Sequence, residues 1–162
     1  MKIEIEKITD EGLLRWACGL TINAESNITL DKIYANEHSP IRTQLFKITM
    51  FGIPTFVSTH FVRHTIGATH FVKSNREDRS GYTGDAGRHQ PVNHGILCNA
   101  QALIQMARKR LCYKSHIETV FTMSKIRTGV MKIDRELALK MVQECSYRGG
   151  VCHEDKPCGL IL

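Results

Sequence analysis

Two groups of polar side chains in the middle of the chain are of the types that bind phosphate. Arg63 and His64 end an apolar segment, "THFVRH", and Ser74 and Arg76 follow in the charged segment "SNREDR". Arginine guanidinium groups bind phosphate oxygens through two parallel hydrogen bonds, and a serine hydroxyl adds a further donor. The same residues also fit a solvated, salt-bridged loop. The sequence alone leaves both interpretations open.

A third group of polar side chains lies on a predicted helix: Asn99, Gln101, Gln105, Arg108 and Arg110. At about 100° per residue these positions spread over a broad arc and do not form one stripe. A polar side facing solvent is the usual explanation for such a pattern. Amides that face a pocket could instead pair with a heteroaromatic ring, whose edge offers donors and acceptors.

Three cysteines, Cys145, Cys152 and Cys158, lie close together near the end of the chain. Thiolates bind zinc or an iron–sulfur cluster, and His153 or Cys112 would supply a fourth ligand. The spacings are not the tight pairs of zinc ribbons, so buried free thiols are an equal alternative. Adjacent Cys152 and His153 do not form a nucleophile and base, because neighbouring side chains seldom point toward each other.

Composition indicates a cytoplasmic protein that binds an anion. The 162 residues are 42% hydrophobic, which suits a single domain, 1–162, with a Cys-rich tail at 145–162. No uninterrupted apolar window of about 18 residues is present, so no membrane span is expected. The six cysteines are expected to be reduced in this compartment. A net charge of +6 with eight further histidines favours a nucleotide or nucleic acid as partner.

Patterns in the first half of the chain predict strands and short helices that position Arg63 and His64. "KIEIEKIT" alternates with period two, as does a half-buried strand. Asp10 and Thr29 are of the types that cap the helices "EGLLRWACGL" and "LDKIYANE". "TQLFKITMFGI" is rich in strand formers, and a helix, "TFVSTHFVRH", follows Pro54.

The second half is predicted to contain one polar segment and one long helix. Residues 75–94 show no periodicity and predict a long loop without regular structure, of the kind that is either functional or mobile. Residues 94–129 are dominated by helix formers and predict a single long central helix. Asp134 is expected to cap a last helix, "RELALKMVQE".

The order of these motifs resembles that of the flavin-dependent thymidylate synthases. "HSPIRTQLFKITMFGIPTFVSTHFVRH" is similar to the family's Ser-Pro turn, strand and helix ending in its Arg-His-Arg signature. "LLRWACGLTI", "CNAQALIQMARKRL" and "MVQECSYRGG" resemble its early, long and final helices, so the resemblance covers about residues 10 to 150. It implies an α+β fold, with a mostly antiparallel sheet packed against a long central helix and shorter helices.

The resemblance implies a set of FAD-binding residues. Ser39 would lie beside the flavin, and His64 would lie on the side of the site that faces the flavin. Arg63 would lie between the flavin and the nucleotide phosphate. Asn99 and Gln105 match helix positions that approach the flavin from a neighbouring subunit, as in a homotetramer.

A second set would bind the nucleotide and stabilise the transition state. Arg63, Ser74 and Arg76 would hold the phosphate of dUMP. His60 would occupy a position where the family presents an amide to the nucleotide, and Arg110 would contact the pyrimidine. Four of these, Arg63, Ser74, Arg76 and Arg110, are the expected catalytic residues.

The family signature is incomplete in this sequence. Thr65 replaces its third arginine, Ala68 replaces a spaced serine, and its Asn-Glu pair has no counterpart. The Ser74–Arg76 match requires one inserted residue, and Arg42 replaces an acidic residue. These departures suggest the alternative of a family relative that modifies another pyrimidine nucleotide.

The resemblance implies methylation of dUMP to dTMP, with methylenetetrahydrofolate as carbon source and NADPH as reductant. On this reading nucleic acid is not an expected partner. An alternative from another class is a basic nucleic-acid-binding module with a structural metal, in which the arginines contact phosphates and the cysteines bind zinc.

Overall fold

A computed structural model describes residues 1–84 and 87–160. Within these residues the chain forms four strands, eight α-helices and a 3₁₀ turn at Ser39–Thr43. The strands are β1 (Lys2–Lys7), β2 (Leu45–Pro54), β3 (Ala68–Val72) and β4 (Pro91–Asn99). The helices are α1 (Glu11–Ile22), α2 (Leu30–Ala35), α3 (Thr55–Val62), α4 (Glu77–Ser80), α5 (Ala100–Arg110), α6 (Ile117–Ile133), α7 (Arg135–Lys140) and α8 (Glu144–Tyr147).

The four strands form one antiparallel sheet in the order β1-β2-β4-β3. Its register aligns Ile5, Ile48 and Ile96 in a row across three strands. Buried side chains alternate with exposed ones along β4, so one face of the sheet packs into the core with α3 and α5. The predicted fold class, α+β with a mostly antiparallel sheet, is confirmed.

The capping residues predicted for the first two helices are confirmed. The Oδ1 atom of Asp10 accepts a hydrogen bond from the Leu13 amide at 3.1 Å. The Thr29 hydroxyl accepts one from the Lys32 amide at 3.4 Å. Each bond satisfies one of the amides that a helix leaves unpaired at its first turn.

The single long helix predicted for residues 94–129 is wrong. Its first residues belong to β4, because Ile96 and Cys98 are buried while Leu97 between them is exposed, which is the period of a strand. Helix α5 then begins after Asn99, and α6 starts only at Ile117. At 17 residues α6 is the longest described helix, and none of the described helices is long and apolar enough to cross a membrane.

Two further predictions need correction. Residues 75–94, expected to lack regular structure, contain α4 and the start of β4, while Asp85 and Ala86 of that segment lie outside the described residues. The last helix is two short ones, α7 and α8, because the backbone turns away at Met141 (ψ 78°). Strand β3 was not predicted. The last two residues of the predicted Cys-rich tail also lie outside the described range.

One buried carboxylate, that of Asp134, joins three parts of the fold. Its Oδ1 accepts the Leu137 amide at 3.1 Å and so caps α7, as predicted. Its Oδ2 lies 2.6 Å from the Lys7 ammonium group on β1 and accepts the Tyr34 hydroxyl of α2 at 2.8 Å. Burial and the Asp134 charge raise the pKa of Tyr34 far above its ordinary value, so it is a hydrogen-bond donor at all physiological pH values.

Candidate active site

Arg63 and His64 lie where helix α3 ends. The helix buries Phe56, Val57 and Phe61 against the core, and the His64 amide closes its last turn on the Phe61 carbonyl at 2.9 Å. The Arg63 side chain is exposed and, among the described residues, forms neither an ion pair nor a hydrogen bond. The fold therefore holds the backbone of this signature while leaving one guanidinium group unpaired.

Arg110, at the end of helix α5, contacts His64. Its Nε donates to the Nε2 atom of His64 at 2.9 Å, across 46 residues of sequence. Burial, and then the positive charges of Arg110, His70 and Lys109, lower the pKa of His64 to about 4. His64 is therefore neutral near pH 7, with its proton on Nδ1, because Nε2 accepts from Arg110. Within the described chain that Nδ1 has no hydrogen-bond partner and remains a donor for a ligand.

The two arginines, Arg63 and Arg110, lie in the same electrostatic environment. Burial and the charge of Arg63 lower the pKa of Arg110. In the described part of the chain neither guanidinium group pairs with a carboxylate. Two neighbouring cations without a counter-ion create a positive potential that favours an anionic ligand.

His60 belongs to the same neighbourhood. Burial, and then the positive charges of Arg110, Arg63, His116 and Arg88, lower the pKa of His60. Its Nδ1 lies 2.8 Å from the hydroxyl oxygen of buried Thr119 on α6. The structure thus brings together four of the predicted site residues: His60, Arg63, His64 and Arg110.

The loop after α3 depends on Gly67. Its φ of +72° lies in the left-handed region, and its carbonyl oxygen accepts the Asn99 amide at 2.9 Å. A Cβ atom at Gly67 would lie 2.7 Å from Nδ2 and 2.8 Å from Oδ1 of Asn99. This close approach joins the loop to the start of α5, since Asn99 Oδ1 also caps that helix through the Ala102 amide at 2.9 Å.

We expect Gly67→Ala to lower the free energy of unfolding by about 2–3 kcal/mol. About 1 kcal/mol comes from the left-handed backbone, and about 1 kcal/mol or more from displacing the cap. Gly52→Ala is the control, because Gly52 also has a positive φ (+65°) but no atom near the added Cβ. Urea unfolding measures both variants. Equal losses in the two would show that the contact with Asn99 contributes nothing.

Ser74 and Arg76 form a salt-bridged loop. Arg76 makes a two-point ion pair with Asp78, from Nε at 2.9 Å and Nη2 at 2.6 Å. The Ser74 hydroxyl accepts the Arg76 amide at 3.3 Å. All of these contacts lie within one exposed segment at the start of α4, so the ion pair must open before Arg76 can bind a phosphate.

The polar residues of α5 have different surroundings. Gln101 donates to Glu37, and Arg108 pairs with the same carboxylate while its guanidinium carbon lies 3.4 Å from the centre of the Tyr147 ring. These two side chains link elements of the fold. Asn99 is half-buried at the junction of β4 and α5, and Gln105 is exposed, so their side-chain amides remain the candidates for a ligand.

Ser39 lies in a separate place. It is exposed at the start of the 3₁₀ turn and lines a cavity of about 230 Å³ together with Cys18, Ile33 and Pro40. Within the described residues no hydrogen bond joins Ser39 to Arg63 or Arg110. The predicted role of Ser39 beside a flavin stays a prediction.

The Cys-rich tail lines a cavity of about 310 Å³ next to Arg110. Its walls include Cys112, Cys145, Cys152, His153 and Cys158, together with Lys109 and Arg110 from the end of α5. All six cysteines are free. Among the described residues no group of three or more His, Cys, Asp or Glu side chains is placed to hold a metal ion. The predicted metal-binding side chains share a pocket without forming a metal site.

Sequence reasoning missed three polar residues behind the signature: Ser58, His70 and His94. Ser58 and His94 are buried, and the hydroxyl of Ser58 lies 2.9 Å from His94 Nδ1. His94 Nε2 lies 3.0 Å from His70 Nδ1, and His70 Nε2 lies 2.8 Å from the His64 carbonyl oxygen. Two features of the sequence could have indicated this group: Ser58 on the apolar face of α3 and His94 on the buried side of β4.

We expect the protein to lose stability as the pH falls from about 6.5 toward 4. Burial and the charge of His70 lower the pKa of His94 from 6.5 to about 4, and His64 shows a shift of the same size. The unfolded chain therefore binds more protons in this range, so the stabilisation is complete above the unfolded pKa and lost toward the folded one. Fully buried His94 alone contributes up to about 3 kcal/mol.

Urea unfolding between about pH 7.5 and pH 4.5 measures this dependence. His94→Gln should flatten the curve, whereas His153→Gln, which removes an exposed imidazole from the tail, should leave it unchanged. A free energy of unfolding that stays constant from pH 7 to pH 5 in the wild-type protein contradicts the expectation.

Comparisons with known proteins give a likeness of structure alone. No protein-family model and no curated protein sequence matches the chain. A crystal structure of thymidylate synthase X (ThyX) from Helicobacter pylori with FAD and dUMP superimposes with a TM-score of 0.67, at 11% identity, over 87% of this chain and 99% of that one. A second structure of the H. pylori flavin-dependent enzyme, complexed with FAD and dUMP, gives a TM-score of 0.70, at 11% identity, over 88% of this chain and all of that one. The chain shares the fold of these enzymes.

Proposed function

We propose that the protein is a flavin-dependent enzyme that methylates dUMP to dTMP. The observation that carries the proposal is the contact between Arg110 and His64 beside unpaired Arg63, in a fold shared with ThyX structures that contain FAD and dUMP. Elements 46 residues apart in sequence converge there on a positively charged site. Arginines, a neutral histidine and amides are the donor types that an anionic nucleotide and a flavin require.

The nucleotide is proposed to bind between the two arginines. Arg63 suits the dianionic phosphate, and Ser74 and Arg76 are proposed to join it once the ion pair to Asp78 opens. Arg110 is proposed to contact the pyrimidine and to stabilise negative charge on its oxygen as carbon 5 becomes nucleophilic. Arg110 also lines the cavity of about 310 Å³ at the Cys-rich tail, whose lining does not include Arg63, so the nucleotide is proposed to lie outside that cavity.

The donor set fits an FAD. The neutral His64 Nδ1–H, the Asn99 Nδ2 amide and the exposed Gln105 amide can pair with the edge of a flavin ring, and Arg63 can pair with a phosphate. When bound, FAD supplies the hydride chemistry, for which we propose NADPH as reductant and methylenetetrahydrofolate as carbon source. The residues of the chain orient the reactants and provide fixed charge. This use of positive charge needs no activated cysteine.

Assembly into a homotetramer in the cytoplasm belongs to the same proposal. The face of the sheet opposite the core exposes Phe71 and Leu97, with 62% and 38% of their surface accessible. Exposed apolar groups of this kind are common at subunit contacts. A neighbouring subunit would then bring Asn99 and Gln105 to the flavin.

An absorbance spectrum of the purified protein mixed with FAD and then freed of unbound cofactor tests the proposal. Retained flavin bands at near one FAD per chain support a flavoenzyme. A colourless protein with no measurable affinity for FAD contradicts it. Elemental analysis of the same sample checks for zinc and iron.

A second candidate is a relative that modifies another pyrimidine nucleotide. The observation that favours it is the ion pair between Arg76 and Asp78, because it keeps a proposed phosphate-binding arginine from the phosphate. Such a protein would bind FAD and a pyrimidine nucleotide yet form no dTMP from dUMP.

A further inference from the structure

A chain of four hydrogen-bonding groups runs from the core to the backbone of the signature. The Ser58 hydroxyl on α3 contacts Nδ1 of His94 at 2.9 Å, and Nε2 of His94 contacts Nδ1 of His70 at 3.0 Å. Nε2 of His70 then contacts the carbonyl oxygen of His64 at 2.8 Å. Strand register explains the middle contact, because β3 and β4 place His70 opposite Ile96 and thus diagonal to His94 on one face.

When His70 is neutral, the last group in this chain fixes the direction of every hydrogen bond. The His64 carbonyl oxygen only accepts, so the Nε2 of His70 must carry a hydrogen atom. The Nδ1 of a neutral His70 is then an acceptor, which requires that His94 donates from Nε2. The Nδ1 of His94 is in turn an acceptor and receives the Ser58 hydroxyl proton. Both imidazoles are thereby held as Nε2–H tautomers.

Burial keeps the imidazole of His94, in the middle of this arrangement, neutral near pH 7. His94 and Ser58 are 0% and 2% exposed, and the pKa of His94 is lowered to about 4 by burial and by the charge of His70. At the far end of the chain, burial and then Arg110, His70 and Lys109 lower the pKa of His64. Protonation of His70 would reverse the two inner hydrogen bonds, because His70 Nδ1–H would donate to His94 Nε2 and His94 Nδ1–H would donate to the Ser58 hydroxyl. The tautomer of His94 therefore reports whether the chain is neutral.

We propose that Ser58, His94 and His70 are positioning residues that hold His64 so that its imidazole accepts from Arg110. The carbonyl of His64 is anchored from behind by His70, while its Nε2 receives the Arg110 Nε–H at 2.9 Å. None of the three residues needs to touch a ligand. Their effect on nucleotide binding rests on the proposed function, but their effect on the Arg110–His64 pair does not.

Two substitutions of His70 separate the two ends of its ring. In His70→Gln the side-chain amide reaches the place of Nε2 and can still donate to the His64 carbonyl. In His70→Asn the amide reaches only the place of Nδ1, so the contact with His94 survives and the anchor to His64 is lost. Both variants disturb the same semi-buried position, which makes each the control for the other.

Long-range ¹⁵N–¹H spectra of the histidine rings are the first measurement, and they need no ligand. In the wild-type protein near pH 7, His70 and His94 are expected as Nε2–H tautomers and His64 as Nδ1–H. His64 should keep that tautomer in His70→Gln and become a mixture in His70→Asn. A wild-type spectrum with His70 or His94 protonated on Nδ1, or identical His64 signals in the two variants, overturns the proposal.

The second measurement is the dissociation constant of dUMP, determined by calorimetry in the presence of FAD. His70→Gln should bind dUMP within about threefold of wild type, whereas His70→Asn should bind about tenfold more weakly, as expected for one lost hydrogen bond. Equal affinity in the two variants overturns the role in binding. If the wild-type protein binds no dUMP, the proposed function fails, and the ring spectra still decide whether the chain positions His64. If both variants are unfolded, the tautomers of His70 and His94 in the wild-type spectrum decide whether the proposed chain of hydrogen bonds exists.

Discussion

Replacing Arg110 by alanine is expected to lower kcat/KM for dUMP by about 100-fold or more, because the change removes the donor that we propose stabilises charge developing in the transition state. The side chain is half-buried, donates to His64 at 2.9 Å and has no carboxylate partner among the described residues, so its charge is available to a ligand. Arg110→Lys keeps a positive charge but loses the planar guanidinium group. It should therefore fall between the wild type and Arg110→Ala. Steady-state kinetics with dUMP as the varied substrate gives these ratios.

Arg135→Ala is the matched control for Arg110→Ala. Arg135 lies on α7 with 71% of its side chain exposed and contacts Glu136 at 3.4 Å. Its removal lowers the net charge by the same amount, so it reports any general effect of charge on an anionic substrate. An Arg110→Ala enzyme whose loss is no larger than that of Arg135→Ala contradicts the role proposed for Arg110.

Asp134→Ala is expected to lower the free energy of unfolding by about 3–5 kcal/mol, as when one partner of a buried ion pair is removed. The change leaves the Lys7 ammonium group, with 21% of its side chain exposed, without its carboxylate. It also leaves the hydroxyl of fully buried Tyr34 without an acceptor and uncaps α7. Chemical unfolding at about pH 7 measures the loss.

Asp10→Ala isolates the part of this loss that comes from the cap. Asp10 caps α1 through a hydrogen bond of 3.1 Å, the same length as the bond from Leu137 to Asp134, but it is exposed and does not bind Lys7 or Tyr34. Its removal should cost about 1 kcal/mol. If the two variants lose the same amount, the buried ion pair adds nothing to the stability of the fold.

The elements that were predicted well are those whose signals are local. Strand β1 alternates apolar and charged residues, and Asp10, Thr29 and Asp134 cap the helices that follow them. Each signal lies within a few residues of the element it defines. Local propensity failed between residues 94 and 129, where helix formers continue through a strand end and a helix start. Burial against β2 gives β4 its conformation, and such long-range packing overrides local preference.

The candidate site was predictable only in part for the same reason. The resemblance singled out His60, Arg63, His64 and Arg110, and these four do share one neighbourhood. Ser74 and Arg76 are of the types that bind phosphate, yet Arg76 forms a local ion pair with Asp78. The chain through Ser58, His70 and His94 depends on the register of β3 with β4. No pattern in the sequence reports that register.

The likeness in fold does not determine the reaction, since one fold supports many chemistries. The departures from the family signature, above all Thr65 in place of an arginine, lie beside the residues that do converge. Thr65 is exposed and directly follows His64. The identity of the pyrimidine substrate is therefore the decisive question for the proposed function.

The most direct test is to incubate the purified protein with FAD, NADPH, methylenetetrahydrofolate and dUMP and to measure dTMP by chromatography. Formation of dTMP that needs every component, and that Arg110→Ala slows by about 100-fold or more, is the expected result. Bound FAD without any dTMP contradicts the proposed reaction and favours the relative that modifies another pyrimidine nucleotide. Absence of both flavin binding and product contradicts the flavoenzyme proposal as a whole.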